Sequence, residues 1–378
     1  MGGFVFSEKP IRIESGDGVY LQSADGTDYL DFGASYAVTP LGHSHPAVVD
    51  AIQDQAARLT YVQASYPVEV RTELYGRLAA VAPGDLSNVW LCNSGTEANE
   101  AAMKFARSAT GRGKIVATKR AFHGRTMGAL AMTWKEKYKA PFEPLAGGIE
   151  FVEYGDAEAL EAAVDEETAA LFLEPVQGEG GIHPAPRSYL ESAREITAEA
   201  GAALVFDEIQ TGLGRTGTLW ACEAAGVVPD MLTTAKGLAN GLPAAATLCA
   251  DWIAEDAGDH GSTFSGGPVV CAAANATLET ILEEDLPSHA GEIGTYFREE
   301  LEAAAEEHDL PVRDVRGNGL LVGIEVKRGA NRVLRDLAID QQVLALPAGR
   351  TVVRFLPPLV VEQAHADRVV DAVTEVLS

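Results

Sequence analysis

From about Pro46 onward, stretches of helical periodicity alternate with short apolar runs. Runs of this kind bounded by turn signals read as strands buried on both faces, and they fall at Val89–Leu91, Lys114–Ala117, Ala170–Leu173 and Ala203–Phe206. Between them, Asn99–Ser108 and Arg187–Ala200 carry apolar residues at three- and four-residue spacing, which predicts amphipathic helices. Strand–helix alternation predicts an α/β fold, a mostly parallel sheet covered by helices on both faces. Both ends of the chain differ. The first forty residues give short strands at Ile11–Glu14 and Val19–Gln22, with turns at Gly16-Asp17-Gly18 and Asp25-Gly26. After about Cys271 come a long helix, Gly291–Glu307, and strands at Gly319–Val326 and Thr351–Phe355. The expected organisation is an N-terminal segment, 1–44, packing with a smaller C-terminal α+β domain, 269–378, and a large domain, 45–268, between them.

Composition narrows the class. A chain of 378 residues with 47% hydrophobic side chains can bury a large core. No stretch approaches the roughly 20 apolar residues that cross a bilayer. The start, Met1–Lys9, lacks the zones of a signal peptide, and Phe6 stands where a myristoylation signal wants Ser or Thr, so a cytoplasmic protein is expected. Cys92, Cys222, Cys249 and Cys271 show no paired spacing and have apolar neighbours, which reads as buried reduced thiols. His43 and His45 have no ligand cluster around them and read as loop histidines, so no metal is expected.

Charge adds an environment. Lys+Arg is 29 against Asp+Glu 55, a net −26 spread over the whole chain. Self-repulsion at that density disfavours a compact state unless salt screens it, so a halophilic setting is expected and nucleic acid is not an expected partner. Only nine lysines occur, which makes the position of each informative.

Chemistry concentrates where strands end. Val205-Phe206-Asp207-Glu208-Ile209-Gln210 is an apolar strand running into acids, at the carboxyl end where open α/β sheets bind ligands. A carboxylate after such a run needs a cationic partner, and a protonated pyridine nitrogen would be one. Lys236, in Thr233-Thr234-Ala235-Lys236-Gly237-Leu238, stands among small and apolar residues, where a desolvated amine makes a good imine-forming nucleophile. A lysine with an Asp partner is the usual protein side of pyridoxal phosphate chemistry. Asn93-Ser94-Gly95-Thr96-Glu97 ends a strand and opens a helix, a site for an anion such as a phosphate. Gly212-Leu213-Gly214-Arg215-Thr216-Gly217 matches G-x-G-x-x-G, but two carboxylates precede it and no good helix start follows, so it reads as a Gly-rich loop and not a dinucleotide site.

Together these segments resemble the class-III (ω-amino-acid) aminotransferases of the fold-type-I pyridoxal-phosphate superfamily. The resemblance covers essentially the whole chain and rests on residues 93–100, Phe122-His123-Gly124-Arg125-Thr126, 174–181, 206–217 and 234–237. It implies a large domain with a mostly parallel sheet, a smaller α+β domain and pyridoxal 5'-phosphate as cofactor. By the same resemblance Lys236 would carry the cofactor and move the substrate proton, and Asp207 would keep the ring nitrogen protonated. Gln210 would meet the phenolic oxygen, Phe122 would stack on the ring, and Gly95 and Thr96 would hold the phosphate with Thr263 of a neighbouring subunit, which implies a homodimer. Arg354 would bind the α-carboxylate of glutamate and pair with Glu179 when the other substrate is present. Arg125 would grip the distal carboxylate of glutamate or the α-carboxylate of the ω-amino substrate, and Ser262 would touch substrate.

A finer resemblance, to enzymes that act on ornithine or lysine attached to the acidic amino-group carrier protein LysW, is carried by Arg125–Gly128 with Trp134–Tyr138, by Val164–Ala170 and by Val343–Leu359. Lys135, Lys137 and Lys139 would then be a basic stripe for that carrier, or simply scattered loop charge. The chain departs from its relatives at Ser262–Pro268 and at Asn240, which replaces a common glycine. The activity implied is ping-pong transamination between glutamate/2-oxoglutarate and a blocked ornithine or lysine, in arginine or lysine biosynthesis. Acetylornithine transamination is the alternative, and an aminomutase the more distant one.

Overall fold

The computed structural model describes residues 8–378; the reading of the first residues as free of a leader falls on Met1–Ser7, outside them. Three strands, β1 (Ile13–Asp17), β2 (Tyr20–Ser23) and β3 (Asp28–Asp31), form an antiparallel meander. The first lies two residues later than the alternation predicts, because the chain reverses at Gly18-Val19. Next come β4 (Asn88–Cys92), β5 (Lys114–Thr118), β6 (Ile149–Val152) and β7 (Thr168–Leu173). A two-stranded ribbon, β8 (Val176–Gln177) with β9 (His183–Pro184), precedes β10 (Ala203–Asp207), β11 (Met231–Thr234) and β12 (Ala245–Cys249).

The main sheet has the order β4-β12-β11-β10-β7-β5-β6. Every pair is parallel except those made by β12, which runs antiparallel to both neighbours. All residues of β7 and β10 are buried, as expected of central strands with helices on both faces. The Gly95–Thr110 helix follows β4 and packs across the sheet through Ala98, Ala101, Ala102, Phe105 and Ala106. Ser94 caps it by accepting from Glu97 N, and Glu97 reaches back to accept from Asn93 N at 2.6 Å. Gly111, in the left-handed region at φ 67°, ends it. The consequence for function is that the helix begins at the carboxyl edge of the sheet, beside the end of β10.

The C-terminal sheet has the order β13-β14-β17-β16, made of β13 (Val312–Asn318), β14 (Leu321–Val326), β16 (Leu346–Ala348) and β17 (Val352–Phe355), while β15 (Val343–Leu344) joins β3 in parallel. The N-terminal strands are thereby stitched to the C-terminal region. Phe32, Phe297 and Phe355 complete the join, with ring centroids 5.4–6.3 Å apart and edge-to-face. Arg215 of the Gly-rich loop lies buried between the two regions and donates to the carbonyls of Leu320 and Pro357. No helix follows Gly217 directly, so the G-x-G-x-x-G stretch is a loop. The four cysteines are free and buried, and burial pushes the thiols of Cys249 and Cys271 up to about 12. Among the described residues no helix is long and apolar enough to cross a membrane.

Close helix–turn packing makes one stability test. A Cβ at Gly294, in the Leu286–Glu307 helix, would lie 2.1 Å from the Gly319 carbonyl. Gly294→Ala is expected to cost about 1–3 kcal/mol. Gly76→Ala, where an added Cβ meets nothing within 4 Å, should be neutral or stabilising. Urea midpoints of the two variants decide it; equal midpoints would remove the packing argument.

Candidate active site

A cavity of about 420 Å³ opens at the carboxyl end of the main sheet. Its walls come from the start of the Gly95–Thr110 helix, the 122–125 loop, the end of β10 and the turn carrying Lys236. Lys236, Asp207, Gly95, Thr96, Phe122 and Gln210, distant in sequence, all line it, as do Arg125 and Glu179.

Asp207 is 4% exposed, and its carboxylate is gripped from three directions. Oδ2 accepts from Asn99 Nδ2 and from His123 Nδ1, each at 2.7 Å, and Oδ1 accepts only from Ile209 N at 3.1 Å. Burial drives His123 toward its neutral form, but the bond to Asp207 outweighs it and the net shift is upward. Asn99 is itself fixed, accepting from Thr233 Oγ1 and donating to the His123 carbonyl. The adjacent Glu208 turns away from the cavity and accepts from Thr211 Oγ1 and from the N–H groups of Ala221 and Cys222, which anchors the Gly-rich loop. The two acids therefore divide: one faces the site and the other builds the wall.

Lys236 is half-buried, and desolvation lowers its amine to about 8 against the pull of Glu179, which favours the charged form. Arg354, on β17, is fully buried; its Nη2 is 2.6 Å from Glu179 Oε1 and its Nη1 donates to Gln210 Oε1 at 3.0 Å. Burial alone would raise Glu179, but Arg354 and Lys236 hold it below the usual carboxylate range. A Cβ on Gly178 would sit 1.9 Å from Gln210 Oε1, so the glycine admits that amide. The other amide atom, Gln210 Nε2, is buried without a partner.

Arg125 is exposed at the rim, its guanidinium 3.7 Å from the Tyr138 ring centroid and 5.4 Å from that of Phe122. The three lysines do not form one stripe. Lys135 Nζ donates to the Glu179 carbonyl at 3.4 Å and Lys137 lies 5.0 Å from the Tyr138 ring, whereas Lys139 is tucked over Phe151 and beside Glu136. Lys135, just before the one-turn Glu136–Lys139 helix, and Lys137 within it both approach Tyr138, and only Lys139 turns away.

Ser262 and Thr263 stand apart. Ser262 Oγ accepts from Asn93 Nδ2 at 3.1 Å, but Thr263 is exposed and lines a separate hollow with Tyr61, Gln63 and Ser65. The unusual residues nearby have local causes. Ser265 is buried and its hydroxyl donates to the Leu91 carbonyl. Asn240 takes the left-handed conformation at φ 42°, accepts from Leu41 N and donates to the Gly42 carbonyl.

Several residues escape sequence reasoning. Ala34–Ala37 form a left-handed turn, with φ between 39° and 71°, that presents the Tyr36 ring 5.4 Å from the Arg354 guanidinium. Gly33 precedes the turn, but none of its four residues is a glycine or asparagine, so the sequence gives no sign of the left-handed conformation. Glu174 is buried and raised to about 7 by desolvation, accepting from Phe122 N and Gly178 N. Its sequence signal was its place directly after the apolar β7.

Comparisons with known proteins identify a family and relatives. The family Aminotransferase class-III matches residues 6–377. The [LysW]-aminoadipate semialdehyde transaminase of Deinococcus radiodurans is 44% identical, covering 99% of this chain and 87% of that protein. The acetylornithine aminotransferase of Mycolicibacterium smegmatis is 45% identical, over 98% of this chain and 95% of its own. The crystal structure of ornithine aminotransferase from Toxoplasma gondii, with partial occupancy of PLP at its active site, superposes with a TM-score of 0.93 at 32% identity, over 98% of this chain and 90% of that one.

The electrostatics of the pocket are directly measurable. In unliganded protein the Lys236 amine is expected to titrate near 8, and Glu179→Gln should move it lower, because removing that carboxylate removes support for the charged form. Reductive methylation of the amine followed by NMR against pH reads both. An ordinary lysine titration, or an upward shift in the variant, would contradict the account.

Proposed function

The chain belongs to the class-III aminotransferases, and from that premise we propose that it transfers the terminal amino group of ornithine or lysine, carried through its α-nitrogen on the acidic protein LysW, to 2-oxoglutarate. Transamination and the use of pyridoxal phosphate come with the family. When bound, that cofactor draws electrons from the carbon that gives up its proton. The residues present fit it. The unpartnered Gln210 Nε2 is a donor for a phenolic oxygen, and the open side of Asp207 Oδ1 suits a protonated ring nitrogen. Gly95 lies so close to Ile209 that a Cβ would meet its side chain at 2.6 Å, so only a glycine fits there, and its N–H with that of Thr96 would serve a phosphate, that of Glu97 being capped by Ser94.

On this reading Lys236 holds the cofactor and takes up and returns the proton of the reacting carbon, the task for which an amine near neutrality is suited. Asp207 keeps the ring nitrogen charged, His123 and Asn99 keep Asp207 aimed, and Phe122 covers the ring. Thr263 reaches the phosphate of a second subunit in a homodimer; its exposure together with that of Phe264 (67%) and Tyr66 (60%) supports an interface there. The observation that carries the two-substrate cycle is the Arg354–Glu179 pair at 2.6 Å. Glutamate needs Arg354 for its α-carboxylate, while a terminal amine needs that cation neutralised, and Glu179 opening or closing on it serves both.

A LysW-linked substrate is supported by the names of relatives such as that of Deinococcus radiodurans and by charge at the rim. Arg125, Lys135 and Lys137 lie within 3.7–5.8 Å of the single Tyr138 ring, and among the described residues none of the three has a carboxylate partner. In a chain of net charge −26 that is a local excess of positive charge beside the cavity, complementary to an acidic carrier.

Lys236→Ala should lower turnover by roughly 10²–10⁴-fold or more, read as glutamate formed from 2-oxoglutarate; retention of turnover ends the assignment. Carrier-linked ornithine and lysine should be used in preference to acetylornithine. Lys137→Glu should cut that preference about fivefold, with weaker docking at high salt. Better use of acetylornithine by the unmodified enzyme would assign it the acetylated substrate instead.

A further inference from the structure

The Thr96 hydroxyl has no hydrogen-bonding capacity left for a ligand. Its Oγ1 accepts from Arg125 N at 3.2 Å and Thr126 N at 3.1 Å, and it lies 2.7 Å from Thr126 Oγ1. Thr126 gives its only hydroxyl proton to Glu100 Oε1, a carboxylate that can only accept. Thr96 must then be the donor to Thr126. One donor and two acceptor positions are all a hydroxyl has, and all are used. Glu100 Oε1 also accepts from Gly128 N at 2.7 Å and Ala129 N at 3.0 Å, which caps the Met127–Ala131 helix.

Two glycines make the contact close. A Cβ on Gly124, at φ 142°, would lie 2.4 Å from Thr96 Oγ1, and one on Gly128 would lie 2.3 Å from Glu100 Oε2. The 124–128 loop is thus laid along the first turns of the Gly95–Thr110 helix and fastened at both ends. Arg125 sits in the middle, its main chain held by Thr96 and its side chain directed over Tyr138.

We propose that Thr96 is a positioning residue for Arg125: its hydroxyl, oriented through Thr126 by Glu100, sets the loop that aims the arginine at the substrate's distal carboxylate. Contact from this position to the cofactor phosphate then comes through main-chain N–H, not the side chain. The role rests on the reading of Arg125 as the carboxylate-binding residue. It couples the phosphate-binding end of the helix to substrate recognition at the rim.

The test compares Thr96→Val, Thr96→Ser and Arg125→Lys in the holoenzyme, with the affinity for pyridoxal phosphate measured separately by titrating the cofactor-free protein. Thr96→Val keeps the shape and loses the hydroxyl. It should raise KM for 2-oxoglutarate roughly five- to tenfold, the scale of one to two lost hydrogen bonds, with kcat and cofactor affinity within about twofold. Thr96→Ser should restore KM. A cofactor affinity weakened about tenfold with KM unchanged would overturn the proposal, because the side chain would then be a phosphate ligand. Equal loss in all parameters without rescue by serine would also overturn it. If Arg125→Lys leaves KM unchanged, the assignment of Arg125 fails, whatever Thr96→Val does.

Discussion

Burial of the Asp207 carboxylate at the end of β10 is the constraint around which the rest is arranged. A charge taken out of water at the centre of an apolar sheet requires partners, and this one draws them from separate elements. Asn99 comes from the helix after β4, His123 from the loop after β5, and Ile209 from the turn that follows. Fixing those donors fixes the helix start, the 122–126 loop and the Gln210 turn, and these are the walls of the cavity. With Oδ2 doubly engaged, only Oδ1 remains lightly bonded, so the site keeps one acceptor aimed at whatever cation it binds.

A second buried charge joins the two halves of the molecule. Arg354 arrives from the C-terminal sheet and meets Glu179 from the turn after β8 and Gln210 from the turn after β10. Such a pair gains little net stability, since desolvation offsets the attraction. The two partners differ in access to solvent: Glu179 is 23% exposed while Arg354 is fully buried. The strained Ala34–Ala37 turn, with Tyr36 beside Arg354, belongs to the same corner. Backbone strain of this kind persists where surrounding structure over-determines it.

The chain alone determined the α/β class and the central strands, because strands buried on both faces must be continuously apolar and are visible as such. It also pointed to the lysine that lines the cavity, the acid after β10 and the capped helix that opens at Gly95, since each is a polar group in an apolar or glycine-rich setting. The tertiary structure decided what contact decides. It decided that β12 runs antiparallel, that Glu208 turns into the wall while Asp207 faces the cavity, that His123 and Glu174 line that cavity, and that Asn99 and Tyr36 contact Asp207 and Arg354. It divided three lysines that look like one stripe, leaving Lys135 and Lys137 beside Tyr138 and turning Lys139 onto Phe151. It also committed the Thr96 hydroxyl to its neighbours. Periodicity reports which residues are buried, but hydrogen-bond partners brought together from loops and helices far apart in the chain leave no local pattern to read.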